Sequence, residues 1–270
     1  MDVTQPVART AFYCCVIRAD DSASASPVCG DELASRFLED EVRRDLAPLT
    51  SLSRPAASNV ARHRIIDDMV RDALRADPHR RVILLGAGFD TRAFRLAGGQ
   101  WFELDDPPLL AYKDGRLPAS EAPNSLVRMP VLFDSDTPDR YIGALAGDDS
   151  ALVILEGVSM YLSDAALTSL AAALVRHLPR ATLICDLMSP RFASTFSGDL
   201  RRRLQAMGAV FGERTAHPHL AIEAAGLRPV SRVSIAGRAV ELGSVRIWRW
   251  LLNTVLRELR DGYAVWTFRR

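Results

Sequence analysis

The spacing of apolar residues changes near residue 80, and the predicted secondary structure changes with it. Before that point apolar residues recur at helical spacing, most clearly over residues 59–75, and Asp77-Pro78 ends this helix. From residue 81 onward, short apolar runs alternate with helical stretches such as Asp164–His177. Strands that alternate with helices are typical of a parallel sheet covered by helices on both faces.

Seven short runs are predicted to be strands. The first, Arg81–Leu85, is mostly apolar and ends in Gly86-Ala87-Gly88, as expected of a strand buried on both faces. The others span residues 100–104, 126–129, 151–155, 182–185, 227–235 and 263–268, and a helix over residues 245–259 separates the last two. We therefore predict one α/β unit, with an N-terminal helical cap over residues 1–80 and a sheet core over residues 81–270.

Composition narrows the classes of protein and partner. Among the 270 residues, 34 basic side chains face 33 acidic ones, which argues against nucleic acid as a partner. The basic set consists of 33 arginines and the single Lys113, a bias that suggests a GC-rich genome. Four cysteines without disulfide or zinc spacing predict a reducing, cytoplasmic location. The sequence predicts no membrane association, because no uncharged apolar run reaches about 18 residues, and we expect no signal peptide.

Two features predict a ligand site at the ends of the first two strands. Gly86-Ala87-Gly88 allows a tight turn and a close approach to a ligand, but Thr91 stands where the dinucleotide fingerprint needs a third glycine. On its own this segment is equally a plain turn with Asp90 as the helix N-cap. Asp105 ends the second strand and can accept hydrogen bonds from both ribose hydroxyls, whereas the competing Glu103 lies deeper in the strand. Together, the turn and the acid describe a nucleoside cradle.

Four linked segments carry a resemblance to a known family. They are RHRIIDD (62–68), LGAGFDTRAFRL (85–96), FELDDP (102–107) with Lys113, and EGVSMYL (156–162). In this order and spacing they resemble the leucine carboxyl methyltransferase family of class I S-adenosylmethionine-dependent methyltransferases. Residues 10–15 and 29–31 look closer to its bacterial small-molecule O-methyltransferases, such as the tetracenomycin-type polyketide carboxyl methyltransferases, than to its phosphatase-methylating members.

This resemblance covers about residues 10–190 and has implications for the fold. It implies a Rossmann-like sheet of seven mostly parallel strands, the last one antiparallel. Beyond residue 190 it is loose, so we expect substrate choice to lie in a lid insertion at about residues 188–225. A homodimer is compatible with this architecture, although nothing in the sequence fixes the oligomeric state.

The resemblance also implies a role for particular residues toward S-adenosylmethionine. Arg62 would grip the methionine carboxylate, and Gly86, Ala87 and Gly88 would line the methionine moiety. Asp105 would take the ribose hydroxyls, and Asp134 would lie beside the adenine. Glu156 would face the ammonium group, and a carboxylate after an apolar strand is costly to bury without a partner.

The acceptor determines whether the reaction needs a base. A carboxylate is ionised near neutral pH and needs only placement, whereas a phenol or alcohol benefits from a base. Tyr161, His63 and His217 are the candidate catalytic residues, each with a core or surface position as the alternative. No histidine stands out, so the sequence favours methyl ester formation on a small molecule such as a polyketide. Methylation of a hydroxyl group, and a non-methylation reaction on the same fold, are the alternatives.

Two features beyond residue 190 suit a substrate pocket. Phe192, Phe196 and Phe211 could form the walls around a flat substrate or lie in the core. The arginines at positions 201–203 could attract an anion or form a solvated helix face. A nicotinamide oxidoreductase is a further hypothesis, which the missing third glycine disfavours. For Lys113 we expect a structural ion pair near the helix after the second strand.

Overall fold

Seven strands form one sheet in the computed structural model, which describes residues 6–133, 135–147, 150–213, 215 and 217–270. They are β1 (Arg81–Leu85), β2 (Gln100–Asp105), β3 (Ser125–Pro130), β4 (Leu152–Leu155), β5 (Thr182–Met188), β6 (Arg228–Ser234) and β7 (Tyr263–Arg269). The order across the sheet is β3-β2-β1-β4-β5-β7-β6. Strands β1 to β5 are parallel, and β7 is antiparallel to both of its neighbours. The predicted sheet, mostly parallel with an antiparallel last strand, is confirmed.

Helices connect the strands and cover both faces of the sheet. They are α1 (Pro6–Ser22), α2 (Asp40–Thr50), α3 (Ser53–Ala76), α4 (Arg92–Arg95), α5 (Pro107–Arg116), α6 (Pro138–Gly143), α7 (Asp164–His177), α8 (Pro190–Phe196), α9 (Gly198–Ala206), α10 (His219–Ala224), α11 (Ile235–Glu241), α12 (Arg249–Asn253) and α13 (Arg257–Asp261). Short 3₁₀ helices lie at Glu32–Phe37, Ala119–Glu121 and Ser159–Tyr161. The predicted helix at 59–75 lies within α3, and α7 has the predicted bounds.

The single helix predicted over residues 245–259 is wrong. The chain forms the short helices α12 and α13 there, and residues 246–248 have no regular structure. Val245 and Ile247 line a cavity, while Trp248 and Trp250 are 73% and 59% exposed. At the start of the segment the residues that face the cavity are therefore two positions apart, which is typical of an extended chain and not of a helix.

The N-terminal helices pack in two different places. Helix α3 lies on the sheet, where Ile66 and Val70 share a core with Val82 and Leu84 of β1. Helices α1 and α2 form a second core, in which the Phe12 ring lies 4.6 Å from Phe89 in the loop after β1. The N-terminal helices thus pack against the loop after β1. The domain boundary at residue 80 stays a prediction.

The order of the strands locates the place where a ligand is expected. From β1 the chain adds β2 and β3 on one side, and β4 and β5 follow on the other side of β1, so the strand order reverses between β1 and β4. Sheets of this kind bind ligands at such a switch point, outside the carboxyl ends of the strands. The loops after β1, β2 and β4 meet there. Among the described residues, no helix has the length and apolar character to cross a bilayer.

Candidate active site

The loop after β1 has a backbone that requires glycine. Gly86 has φ +71° and Gly88 has φ +48°, both in the left-handed region. A Cβ on Gly86 would lie 2.5 Å from Cγ2 of Val158, in the loop after β4. The amides of Gly86 and Ala87 both donate to the Leu104 carbonyl of β2. The three loops at the switch point are therefore packed directly against one another.

Asp105 is held at the end of β2 by two backbone amides. Its Oδ2 accepts from the Gly88 amide at 2.6 Å, and its Oδ1 accepts from the Asp106 amide at 2.8 Å. Burial, which leaves the residue 4% exposed, raises its pKa to about 6 although these amides lower it. Each carboxylate oxygen keeps a second lone pair for a hydroxyl donor.

Glu103, the competing ribose ligand, has a structural role. Its carboxylate is fully buried, and Oε2 lies 2.8 Å from Nζ of Lys113 and 3.0 Å from Nε of Arg128. The lone lysine of the chain is therefore an internal counterion on α5, as the sequence predicted. Asp105 is left as the carboxylate of β2 that can face a nucleoside.

Arg62 of α3 connects the ends of β4, β5 and β7. Its Nε lies 3.2 Å from Oε1 of Glu156, and its Nη1 donates to the Tyr263 hydroxyl at 2.7 Å and to Asp186 at 3.4 Å. Asp186 also accepts from Tyr263 at 2.7 Å. The remaining nitrogen, Nη2, donates among the described residues only to Sγ of Cys14, at 4.0 Å. This nitrogen can therefore donate to an anion.

Glu156 stays ionised because of the cations around it. Burial alone raises the pKa of this carboxyl, but Arg92, His63 and Arg62 outweigh burial and hold it well below its usual range. Oε2 lies 2.8 Å from Nη2 of Arg92. The side chain is nevertheless 12% exposed, so one face of this anion remains open.

The ion pairs continue from Glu156 toward the N-terminal helices. Arg92 lies 2.6 Å from Asp67, Arg95 lies 2.9 Å from Asp67 and 3.3 Å from Asp31, and Arg18 lies 2.9 Å from Asp31. Opposing the effect of burial, the cations Arg18 and Arg95 lower the pKa of Asp31 to about 2. This chain of pairs fixes α1, α3 and the loop after β1 in one arrangement.

The most buried part of the network consists of four arginines and five carboxylates. Its members, each at most 12% exposed, are the arginines 18, 62, 92 and 95 and the carboxylates Asp31, Asp67, Asp90, Glu156 and Asp186. Arg71, which is 37% exposed, also lies 3.3 Å from Asp67, so the network has five arginines and five carboxylates when it is included.

His63 lies inside the network and not beside the cavity. Its Nδ1 is 2.8 Å from Nη2 of Arg92, its Nε2 is 2.9 Å from Nη2 of Arg95, and the residue is 1% exposed. Ligand atoms of His63, Asp90 and Glu156 lie within 4.8 Å of one another, but Arg92 contacts all three and takes the position of a cation. We therefore assign His63 a positioning role and do not propose it as the base.

His217 lies on the other face of the sheet. Its ring is 5.8 Å from His219, which stacks at 4.9 Å on Trp266 of β7. Trp266 packs against the core formed with α7, whereas Tyr263 of the same strand faces α3 and the cavity. The exposed His217 is accordingly not among the described residues that line the cavity.

Asp134 lies outside the described residues, so its predicted contact with adenine stays a prediction. The neighbouring acid, Asp136, serves the loop itself: its carboxylate accepts from the Leu132 amide at 3.0 Å and from Arg140 at 2.6 Å.

A cavity of about 740 Å³ adjoins Arg62 and Gly157. Its aromatic lining consists of Tyr13, Tyr161, Phe192, Phe196, Phe211 and Tyr263, so the three phenylalanines predicted as pocket walls do face it. The lining comes from α1, the start of α3, the loop after β4 and elements beyond residue 188, including α11 and residues 245–259. Tyr161 lines the cavity with its ring centroid 5.3 Å from that of Phe211.

The charged groups of the cavity are mostly cations. Arg54, Arg62 and Arg201 line it, and Glu213 is the sole carboxylate among the described lining residues. No histidine is among these lining residues. Burial raises the pKa of Tyr13, Tyr161 and Tyr263, so these hydroxyls stay protonated. The cavity favours an apolar, anionic molecule.

Three residues of the site, Asp186, Tyr263 and Arg92, were not predicted from the sequence. Asp186 follows the apolar run of β5, and the argument used for Glu156, that a buried carboxylate needs a partner, applies to it equally. Arg92 belongs to the quoted motif but received no role. Tyr263 carries no local signal, since only the antiparallel pairing of β7 with β5 brings it to Asp186.

Comparison with known families agrees with this geometry. The sequence profile of leucine carboxyl methyltransferase matches residues 11–175, more than half of the chain. The chain belongs to the leucine carboxyl methyltransferase family. The matched segment contains Arg62, the loop after β1, Asp105, Glu156 and Tyr161, and it ends before the elements that complete the cavity.

Similar proteins include one member with a named pathway. The chain is 27% identical over 207 residues, which are 74% of this chain and 72% of the relative, to the tetracenomycin polyketide synthesis O-methyltransferase TcmP of Streptomyces glaucescens. The chain spans about half the length of several other curated relatives that it matches.

Solved structures show the same fold at low identity. A DUF574 family protein from Streptomyces avermitilis matches with a TM-score of 0.57 at 13% identity, covering 95% of this chain and 96% of that one. An O-methyltransferase family protein from Burkholderia thailandensis matches with a TM-score of 0.50 at 15% identity, covering 87% and 62%. These likenesses concern the fold alone.

Proposed function

We propose that this chain, an S-adenosylmethionine-dependent methyltransferase by its family, forms a methyl ester on the carboxylate of a small molecule. When bound, the cofactor supplies an electrophilic methyl group on a sulfonium. The residues of the chain bind the cofactor, orient the acceptor and exclude water. The observation that carries the choice of acceptor is a cationic cavity without a histidine base beside Arg62.

The residues at the switch point fit the cofactor. Nη2 of Arg62 can take the methionine carboxylate, the open face of Glu156 can take the ammonium group, and Asp105 can accept from the ribose hydroxyls. The cofactor carries an ammonium, a sulfonium and a carboxylate, and Glu156 and Arg62 offer the ammonium and the carboxylate partners of opposite charge.

Acceptor chemistry follows from which groups can move a proton. A carboxylate acceptor arrives ionised and requires no base. The cavity tyrosines are held protonated, and His63 and His217 do not line the cavity. Carboxyl methylation therefore fits the lining better than hydroxyl methylation does. The name of TcmP supports a polyketide as the acceptor.

The cellular setting belongs to the same proposal. All four cysteines lie in the described part of the chain and none forms a disulfide, which fits a cytoplasmic enzyme. The net charge of +1 fits a small molecule better than nucleic acid as the partner. A homodimer stays a prediction, which sedimentation velocity would check.

The test separates cofactor binding from the choice of acceptor atom. We expect calorimetry to show binding of S-adenosylmethionine and S-adenosylhomocysteine, with loss of both in Asp105→Ala. Tritiated S-adenosylmethionine would then be incubated with a panel of aromatic carboxylic acids and phenols. A methyl ester releases volatile tritiated methanol on mild alkaline hydrolysis, whereas a methyl ether does not.

Each outcome bears on a different part of the proposal. Label in an alkali-labile product supports carboxyl methylation. Alkali-stable label would replace the carboxylate by a hydroxyl acceptor. Equal binding of S-adenosylhomocysteine to wild type and Asp105→Ala would overturn the assigned cofactor site, and a thermal shift with NAD instead would revive the oxidoreductase hypothesis.

A further inference from the structure

Helix α9 carries three consecutive arginines, and only one of them faces the cavity. Arg202 and Arg203 lie 3.3 Å and 3.0 Å from the carboxylate of Asp199, at positions three and four residues further along the helix. Arg201 lies two residues after Asp199, on another side of the helix, and lines the cavity. The solvated-face interpretation thus holds for two arginines, and the anion-attracting interpretation fits the third.

Arg201 is held by stacking and not by an acid. Its guanidinium carbon lies 4.7 Å from the centroid of Phe211, and among the described residues no carboxylate makes an ion pair with it. A cation near the amino end of a helix gains nothing from the helix dipole. Stacking uses the face of a guanidinium and leaves its N–H edge available for a planar anion.

Arg201 and the methyl-transfer end of the cavity belong to different elements of the fold. Arg62 and Gly157 mark the end next to the cofactor site, where Tyr161 also lies. Phe211 contacts both residues, with its ring centroid 5.3 Å from that of Tyr161 and 4.7 Å from the guanidinium carbon of Arg201. Arg201 and Arg62 are therefore two cations on different helices that line one cavity and can bind different groups.

We propose that Arg201, positioned by Phe211, selects acceptors that carry a second anionic group, at the end of a flat ring system away from the methylated carboxylate. This inference rests on the proposed function and adds the class of acceptor, an aromatic acid with anionic groups at both ends. The apolar and aromatic lining between Tyr161 and α9 contacts the ring system, and Arg201 fixes its depth.

The experiment compares two acids on the complex with S-adenosylhomocysteine. The probes are a naphthalene dicarboxylate with its carboxylates on opposite rings and the corresponding monocarboxylate, each titrated by calorimetry. We expect wild type to bind the dicarboxylate at least about tenfold more tightly, since a bidentate guanidinium pair is lost with the monoacid. Arg201→Gln should abolish this difference, and Arg201→Lys should restore part of it.

Arg202→Gln is the matched control, because Arg202 is the next residue along the helix and the substitution removes the same charge from an exposed side chain. It should leave the tenfold preference unchanged. Phe211→Leu should weaken the preference while keeping the cation. Equal loss in Arg201→Gln and Arg202→Gln, or no preference for the dicarboxylate in wild type, would overturn the selection by Arg201. Failure of wild type to bind S-adenosylhomocysteine would instead count against the proposed function.

Discussion

The buried ion network around Glu156 and the cavity beside it meet at Arg62, yet they use charge in opposite ways. In the network each buried guanidinium contacts at least one carboxylate, as Arg92 does with Asp67 and Glu156. In the cavity, Arg54 and Arg201 have no ion-pair partner among the described residues, and most of their neighbours are apolar. Both regions belong to one site but face different ligands.

The difference follows from what each ligand requires. A cofactor of fixed structure can be met by a rigid set of paired charges, since reorganisation on binding is then small. An acceptor bound among apolar and aromatic groups is held by shape and by a few cations, so other acceptors can be accommodated by changing a few side chains. The family match accordingly covers every member of the network except Asp186 and stops short of most of the cavity lining.

The largest expected effect is on the stability of the network. Asp67→Asn leaves Arg92 and Arg95 without their shared buried anion, which should lower the free energy of unfolding by about 3–5 kcal/mol. The neighbouring Asp68 pairs with Arg64, Arg71 and Arg238 but is 32% exposed, so Asp68→Asn should cost only about 0–1 kcal/mol. Urea unfolding of both variants measures the contrast, and equal costs would show that burial does not distinguish the two regions.

A smaller effect is expected for the other buried pair. Lys113→Arg places a larger planar group in a fully buried position 2.8 Å from Glu103, and overpacking there should cost roughly 1–3 kcal/mol. The control is Arg116→Lys on the same helix, where the guanidinium is partly exposed over Tyr112. If Lys113→Arg unfolds at the same urea concentration as wild type, the lone lysine reflects chance and not a need for a compact ammonium.

The pH dependence of cofactor binding sharpens the role of Asp105. Its folded pKa, about 6, lies above the ordinary value of 3.8, so this group stabilises the unliganded protein below pH 4 and that contribution is lost as pH rises through 6. The affinity for the cofactor should instead increase as pH rises through 6, since ribose hydroxyls donate hydrogen bonds to the ionised form of Asp105. S-adenosylhomocysteine should bind on the order of tenfold more weakly at pH 5 than at pH 7.

Asp105→Asn supplies the control for this titration, because it cannot ionise. Its affinity should be low and should not change between these two pH values. A wild-type affinity that is equally flat would remove Asp105 from the ribose contact.

The smallest effect is expected in the cavity at Tyr161. Burial raises the pKa of this hydroxyl, so it does not serve as a base, and Tyr161→Phe keeps the ring against Phe211. We expect kcat to change by less than about threefold, against the 10²–10⁴-fold loss that follows removal of a proton-transferring residue. Tyr161→Ala, which removes the ring contact, should instead raise KM for the acceptor.

Much of the fold was predictable because its signals are local. The apolar runs of β1 to β5 and the glycines after β1 stand in the sequence as continuous patterns, and all seven strands form near the predicted residues. The segment after residue 244 does not form the single helix predicted, since apolar residues there line the cavity and also pack in the core. Periodicity reports one buried face, and this segment has more than one.

By itself, the sequence determined the sheet, the loop after β1, the acid at the end of β2 and the family. Each of these depends on residues that are close in the chain or on motifs in a fixed order. Only the tertiary structure decided that Glu103 is neutralised by Lys113, that His63 is enclosed by Arg92 and Arg95, and that Arg201 alone of its run faces the cavity. These outcomes depend on which distant side chains share a buried space, because the energy of a buried charge is set by its neighbours and not by its position in the chain.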